Sequence, residues 1–269
     1  MGVQNKETAL ITGASSGIGY ELSKLFAEHR YNLVLVARNI KRLSELSKEL
    51  IENFGICVKI IQKDLSLTCS AEEIFYEVES SNIQIDILVN NAGTGANGLF
   101  HEIDYKKDIE MINLNIASLT ILTKLFSKKM VKRKKGKILN VASTGSYQPG
   151  PYIAVYYATK AYVLSFSEAI TNELKSYGIS VTTLCPGATK TEFSKRAGKA
   201  DLKIAMDAKT VAMAAYDGLM RNKRLVIPGW RNKLAVSISK LFPGNVSAKA
   251  VREIQQQLTE QAMKEKRLG

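Results

Sequence analysis

The chain is short of cysteine, proline, histidine and tryptophan, and it lacks acidic charge to balance its basic side chains. Among 269 residues there are 3 Cys, 5 Pro, 2 His and 1 Trp. Cys57, Cys69 and Cys185 are odd in number and far apart in sequence. That excludes a disulfide framework or a thiolate zinc site and points to reduced thiols in a cytoplasmic setting. His29 falls at a helix end and His101 in a loop, with no Ser–His or metal-ligand spacing around either, so triad hydrolysis and zinc chemistry are also excluded. No apolar run approaches the ~20 residues that span a bilayer. Met1–Lys6 has no apolar signal core, and Lys6 stands where a myristoylation signal needs Ser or Thr. With 38 Lys and Arg against 25 Asp and Glu, the net charge is +13. Such a surface attracts anions. The cations are scattered and not interleaved with aromatics, which excludes a nucleic-acid groove; a phosphate-bearing ligand accounts for them better. The densest run, Lys132–Lys135, reads as a solvated cap at a helix C-terminus.

What the chain does have is a regular alternation of strand and helix. Asn32–Ala37 is continuously apolar, as a strand buried on both faces must be. Further strands are expected at 57–62, 85–89, 137–141, 180–184 and 225–227. Helices are expected at 40–54, 71–80, 105–132 (in one or two pieces), 155–177 and 210–221. Repeated strand–helix units of this length imply an α/β fold: one doubly wound parallel sheet with helices on both faces. No linker or internal repeat divides it. A single domain over residues 1–269 is expected, with a core at about 6–228 and a helical C-terminal extension at about 229–269.

The first strand, Thr8–Thr12, runs directly into Gly13-Ala-Ser-Ser-Gly-Ile-Gly19. Glycine allows the sharp turn and leaves room for a pyrophosphate, while the following helix presents its free N–H groups. Ser15, Ser16, Gly17, Ile18 and Gly19 are placed to line that site. The second strand ends in Ala37-Arg38-Asn39, where an NAD site would carry a carboxylate for the ribose 2′-hydroxyl. Arg38 instead suits a 2′-phosphate through its fork of donors, so NADP is the expected cofactor. Asp64, followed by Leu65, ends the third strand; it is either an acceptor for the adenine amino group or a turn and capping residue. These positions, with Asn90–Gly93, Ser143 and Pro186–Thr191, all follow strand ends and share one rim.

Tyr156 and Lys160 lie one helical turn apart and project from the same helix face. A neighbouring ammonium favours the phenolate, which makes Tyr156 a candidate general acid for alcohol–carbonyl interconversion. Tyr157 has nearly the same spacing to Lys160 and is an alternative. Ser143 ends an apolar strand thirteen residues before Tyr156; it can donate to a carbonyl oxygen or serve a turn. Asn115 sits mid-helix, an unfavourable place for asparagine, where it faces solvent, holds a water or bends the helix.

Together, Thr12-Gly-x-x-x-Gly-x-Gly19, Asn90-Asn-Ala-Gly93, Asn115, Ser143, Tyr156-x-x-x-Lys160 and Pro186-Gly187 resemble the short-chain dehydrogenase/reductase family in order and spacing, over about residues 6–228. The resemblance implies that Tyr156 passes a proton to the carbonyl oxygen while the nicotinamide delivers hydride. It further implies that Lys160 lowers the Tyr156 pKa and holds the nicotinamide ribose, that Ser143 orients the carbonyl, and that Asn115 fixes a water behind Lys160. Asn91, Ala92 and Gly93 would line the adenosine side; Pro186, Gly187, Thr189 and Thr191 would border the nicotinamide. Members with an arginine placed like Arg38 generally prefer NADP. Members usually form homodimers or homotetramers through the helices near Asn115 and Tyr156.

Residues 190–208, with Phe193, Lys195, Arg196, Lys199 and Lys203, occupy the place of the family's variable substrate lid; a solvated loop with no substrate role is the expectation, and a lid whose cations meet an anionic substrate such as an acyl thioester is the alternative. Tyr147, Gln148, Tyr152 and Phe193 are candidates for the substrate pocket. Cys185 reads as a buried thiol rather than a nucleophile. In the C-terminal region Trp230, Leu234, Ile238 and Leu241 recur near helical spacing with Arg231, Lys233 and Lys240 between them. Packing on the core or a sister subunit is the expectation for that face, with contact to an anionic membrane as the alternative. The expected activity is an NADP(H)-dependent carbonyl–alcohol oxidoreductase acting on a small apolar or acyl-chain molecule. The alternative is a non-catalytic NADP-binding regulator or scaffold.

Overall fold

A computed structural model describes residues 6–198, 200 and 204–268. Met1–Asn5, Lys199 and Lys203 lie outside the described residues, as does the side chain of Lys195. Seven parallel strands form the central sheet in the order β3-β2-β1-β4-β5-β6-β9. They are β1 (Thr8–Thr12), β2 (Asn32–Ala37), β3 (Val58–Gln62), β4 (Ile87–Asn90), β5 (Gly136–Val141), β6 (Ile179–Leu184) and β9 (Leu225–Val226). The helices between them are α1 (Gly17–Glu28), α2 (Ile40–Phe54), α3 (Ser70–Ser80), α4 (Tyr105–Ile112), α5 (Leu119–Arg133), α6 (Ala154–Lys175) and α8 (Ala208–Met220).

Alternate residues of each strand serve opposite faces, as the two-residue period of a strand requires. Ile11, Leu35 and Val89 meet Leu22 and Phe26 of α1, Leu46 of α2 and Val211 of α8. Leu10, Val34 and Leu88 meet Ile74 of α3 and Leu122, Phe126 and Met130 of α5. Parallel strands joined through helices leave their carboxyl ends along one edge, and the strand order reverses between β1 and β4. A crevice opens there in sheets of this topology.

The helix expected over 105–132 is one 29-residue run, Tyr105–Arg133. α4 and α5 are its two halves, joined by a π-helical turn at Asn113–Ser118. Contrary to the expectation that no such run exists, it is long and apolar enough to cross a membrane by length and composition; its α5 half instead buries Leu122, Phe126 and Met130 in the core. The basic run at its end is not simply a solvated cap. Arg133 donates to the Ile85 carbonyl at 2.7 Å and Lys135 pairs with Glu7 at 2.6 Å. Lys134 ends the helix with φ +53.

The polar stretch after β6 carries short elements of its own. β7 (Thr189–Lys190) pairs with β8 (Met206–Asp207), and α7 (Glu192–Arg196) lies between them. The C-terminal region forms α9 (Trp230–Ser239) and α10 (Gly244–Leu268).

Candidate active site

A cleft of about 740 Å³ runs along the carboxyl edge of the sheet, from the turn after β1 to α6 and α10. The turn is built by glycines that nothing else replaces. Gly13 has φ +68, and a Cβ there would lie 2.8 Å from the Asn91 amide nitrogen and 2.9 Å from Ala92 Cα; at Gly19 it would lie 2.4 Å from that same nitrogen. Asn91 is the clamp responsible: its Nδ2 donates to the Thr12 carbonyl at 2.9 Å and the Gly13 carbonyl at 3.3 Å. Thr12 Oγ1 accepts from the Asn91 and Ala92 N–H groups, each at 3.0 Å. Asn91 therefore lines the cleft while its amide holds the glycine turn to β4, a positioning role rather than a free contact. Ser15, Ser16, Gly17 and Ile18 line the same end. Ser16 precedes α1 without capping it; its hydroxyl accepts from Arg196 at 3.2 Å.

Arg38 follows β2 at the cleft wall with its side chain 64% exposed and a single long contact, 3.4 Å to Asp64. Of the two readings of Asp64, the turn residue is the one its contacts show. It lines the cleft, and it also closes a turn, accepting the Ser66 N–H at 3.0 Å and the Ser66 hydroxyl at 2.7 Å. Burial opposes its ionisation, but Ser66 and Arg38 outweigh it and hold the carboxyl below the usual range. Leu65 is buried beside it and forms part of the wall. Arg42, in the first turn of α2, adds a second guanidinium at this end and is paired with Glu192 of α7 at 2.8 Å.

At the other end, Ser143, Tyr156 and Lys160 line the cleft together with Gly93 and Ala92. The Ser143 hydroxyl accepts from the Gly145 N–H at 3.0 Å, so it serves a turn as well as facing Tyr156. Lys160 is 4% exposed; its ammonium donates to the Val141 carbonyl at 2.7 Å and lies 5.8 Å from the centre of the Tyr156 ring. Burial pulls the Lys160 pKa down to about 8. The expected lowering of the Tyr156 pKa is corrected here. Burial of the phenol dominates and pushes its pKa up, and the Ser143 hydroxyl pulls the other way without reversing it. A phenol in this state keeps its proton at neutral pH.

The structure separates the two neighbouring tyrosines. Tyr157 packs its ring against Gly145 and Gly150, where a Cβ would come within 2.6 and 2.5 Å, and its hydroxyl meets Gln255 of α10. Asn115 sits in the π turn and is almost wholly buried. Its amide donates to the Thr94 carbonyl at 2.9 Å and to the Thr159 hydroxyl at 3.0 Å, while its oxygen accepts the Thr94 N–H at 3.0 Å. From within the π turn it thus fixes the loop after β4 against α6; it does not face solvent. Gly93 lies between Asn115 and Lys160: a Cβ there would come within 3.2 Å of the Asn115 oxygen and 3.4 Å of the Lys160 ammonium.

Pro186, Gly187, Thr189 and Thr191 form the floor after β6. The Pro186 carbonyl accepts the Thr144 N–H at 2.9 Å, and the Thr189 hydroxyl donates to the Gly187 carbonyl at 3.0 Å. Thr191 reaches across to the glycine turn, where a Cβ on Gly17 would lie 2.9 Å from its methyl. Cys185 is buried and its thiol is pushed up to about 11, mainly by burial, which keeps it neutral. Of the four pocket candidates, Gln148 and Phe193 line the cleft. Tyr147 instead packs against Cys185 and Lys240, and Tyr152 borders a separate small hollow. The sequence reading missed the α10 wall: Val251, Ile254, Gln255 and Leu258 line the cleft. Their helical spacing was visible, but not where the helix docks. Among the described residues no His, Cys, Asp and Glu cluster is arranged to hold a metal.

Residues 7–202 match the sequence profile of the short chain dehydrogenases. The chain belongs to the short-chain dehydrogenase family. Over 191 residues it is 35% identical to 17-beta-hydroxysteroid dehydrogenase type 3 of Mus musculus, covering 70% of this chain and 61% of that protein. Over 195 residues it is 35% identical to the very-long-chain 3-oxoacyl-CoA reductase of Rattus norvegicus, with the same coverages. The chain thus spans about three fifths of the length of these curated relatives. Among solved structures, a short-chain dehydrogenase from Sphingobium yanoikuyae in complex with NADPH superposes with a TM-score of 0.80 at 33% identity, covering 87% of this chain and 94% of that one. As in other short-chain dehydrogenases, the parallel sheet flanked by helices is the shared frame; the lid and the C-terminal helices lie partly or wholly beyond the matched profile.

Proposed function

We propose that this short-chain dehydrogenase is an NADPH-dependent reductase of apolar ketones or aldehydes, with Tyr156 as the general acid. The observation that carries this reading is the gathering of Ser143, Tyr156 and the buried Lys160 ammonium in one cleft continuous with a glycine turn and Arg38. The donor set at the far end fits a phosphorylated dinucleotide: free N–H groups at the start of α1, the Ser15 and Ser16 hydroxyls, and Arg38 with no carboxylate directly after β2. When bound, the nicotinamide ring supplies the hydride. The residues of the chain do the rest. Ser143 and Tyr156 converge their hydroxyls on the carbonyl oxygen and hold it in place. As carbon accepts the hydride, the oxygen gains charge and takes the Tyr156 proton, leaving a phenolate that the neighbouring cation Lys160 stabilises. The high pKa that burial gives Tyr156 keeps that proton available until the transfer.

Phe193 stands 5.1 Å from the Tyr156 ring, and Val251, Ile254 and Leu258 face the same space. An apolar wall of this kind favours a steroid-like or acyl-chain carbonyl, the classes named for the curated relatives. Exposed Ile109 and Ile112 on α4 and Tyr162 on α6 support a homo-oligomer joined through those helices. Tyr156→Phe tests the proposal: turnover of a ketone panel with NADPH should fall by about 10³-fold or more, while the Kd for NADPH changes by less than about twofold. Full activity in that variant would remove Tyr156 from the reaction.

A further inference from the structure

From Gly218 to Arg252 the chain carries eight Lys and Arg residues and no Asp or Glu. None of the eight has a carboxylate partner among the described residues. The same stretch holds a concentration of exposed apolar side chains. Trp230 is 69% exposed and Leu241 81%, and Leu234, Ile238 and Phe242 are exposed with them. At 100° per residue, Trp230, Leu234 and Ile238 fall on one arc of α9, which Leu241 and Phe242 extend past its end. The opposite side is occupied: Val236 is buried, Asn232 donates to the Pro228 carbonyl at 2.7 Å, and Asn232 and Ala235 line the cleft. Of the sequence-based expectation that this face packs on the core or a sister subunit, the core packing is not met.

We propose that α9 and Leu241–Phe242 form a docking face for an anionic lipid bilayer, with the apolar arc in the interfacial layer and the flanking cations on the headgroups. Two features select a bilayer. A protein partner needs complementary acidic groups and a shaped surface, whereas this face offers protruding side chains among Arg231, Lys233 and Lys240, with no carboxylate along Trp230–Arg252. Tryptophan is favoured at the lipid–water boundary, where an apolar ring and a polar N–H are both satisfied; Arg231 lies over the Trp230 ring at 5.4 Å and so keeps a cation beside it. Apolar insertion and headgroup attraction act together, and either alone binds weakly. Because α9 also walls the cleft, a carbonyl substrate dissolved in the bilayer would reach the site past one helix. The docking itself does not depend on the reaction proposed above.

Trp230 is the sole tryptophan of the chain, so its emission reports on this face alone. The full-length protein is mixed with vesicles of phosphatidylcholine, or of phosphatidylcholine with about one third phosphatidylserine, and followed by co-sedimentation and fluorescence. The expected result is a blue shift and sedimentation with the anionic vesicles, weakening as salt is raised. The double variant Leu241→Glu/Phe242→Glu should bind at least about tenfold more weakly with an unchanged thermal unfolding profile. A protein that ignores anionic vesicles overturns the proposal. So does binding without a shift of Trp230 emission, or equal binding by the double variant, since contact would then lie elsewhere. If the double variant instead splits an oligomer in sedimentation velocity, a second copy covers this face and the proposal falls.

Discussion

Lys160 is a cation held where water hardly reaches, and its cost depends on pH in a way that can be measured. Its pKa is about 8 in the folded protein against 10.5 when free. Below about 8 both folded and unfolded chains carry the proton, and the folded state bears the full desolvation cost. Between about 8 and 10.5 the folded chain has released the proton while the unfolded chain still binds it, so folding becomes more favourable as pH rises. The shift corresponds to roughly 3 kcal/mol. A Lys160→Met variant lacks this term at every pH. Relative to that variant, wild-type stability should rise by about 3 kcal/mol between pH 7 and pH 10.5, as read from guanidinium midpoints. A difference that stays flat with pH would show that Lys160 keeps its proton up to the free value and that burial does not shift it. The same residue predicts that kcat/KM for ketone reduction declines as pH climbs through about 8, because the group that stabilises the Tyr156 phenolate loses its charge.

At the scale of elements, the short helix α7 has three anchors from three parts of the chain. Glu192 pairs with Arg42 of α2, Arg196 donates to Ser16 at the start of α1, and Phe193 rests on Tyr156 of α6. Arg42 and Glu192 are each about half exposed, so their pair is worth no more than about 1 kcal/mol. The aromatic contact should therefore dominate. Glu192→Gln is expected to raise the rate of tryptic cleavage after Arg196 no more than about fivefold, and Phe193→Ala to raise it further. The reverse ranking would make the ion pair the principal latch. This element also marks where sequence reading stops. The strands and α2 were legible because burial on both faces, or an amphipathic stripe with Gly55 closing it at φ +56, is written locally. Asn115 was visible as a misfit, and the π turn accounts for it. The short elements β7, α7 and β8 and the docking of α10 depend on partners far along the chain, including a contact between residues 42 and 192. Neither period nor composition encodes such a contact. The pKa direction of Tyr156 was misread for the same reason: burial is a property of the assembled site, not of the Tyr-x-x-x-Lys spacing.

For the whole molecule, the excess of cations gives a field that every anionic ligand meets before it reaches the cleft. At net charge +13 the long-range attraction is screened over about 8 Å at physiological ionic strength. NADPH carries roughly two more negative charges than NADH; on the function proposed above they fall where Arg38 and Arg42 line the cleft. Its binding should accordingly be the more salt-sensitive. Between about 20 mM and 300 mM salt the Kd for NADPH is expected to rise several-fold, and that for NADH by a smaller factor. Arg38→Leu separates the local pair from the general field. It should remove most of the preference for NADPH at low salt, by about tenfold or more, while leaving the shallower NADH slope in place, because the remaining cations are untouched. Fluorescence titration of both cofactors across salt, on wild type and variant, gives all four slopes. Equal slopes for the two cofactors in the wild type would mean that the 2′-phosphate is not read by charge, and Arg38 would lose its role as selector.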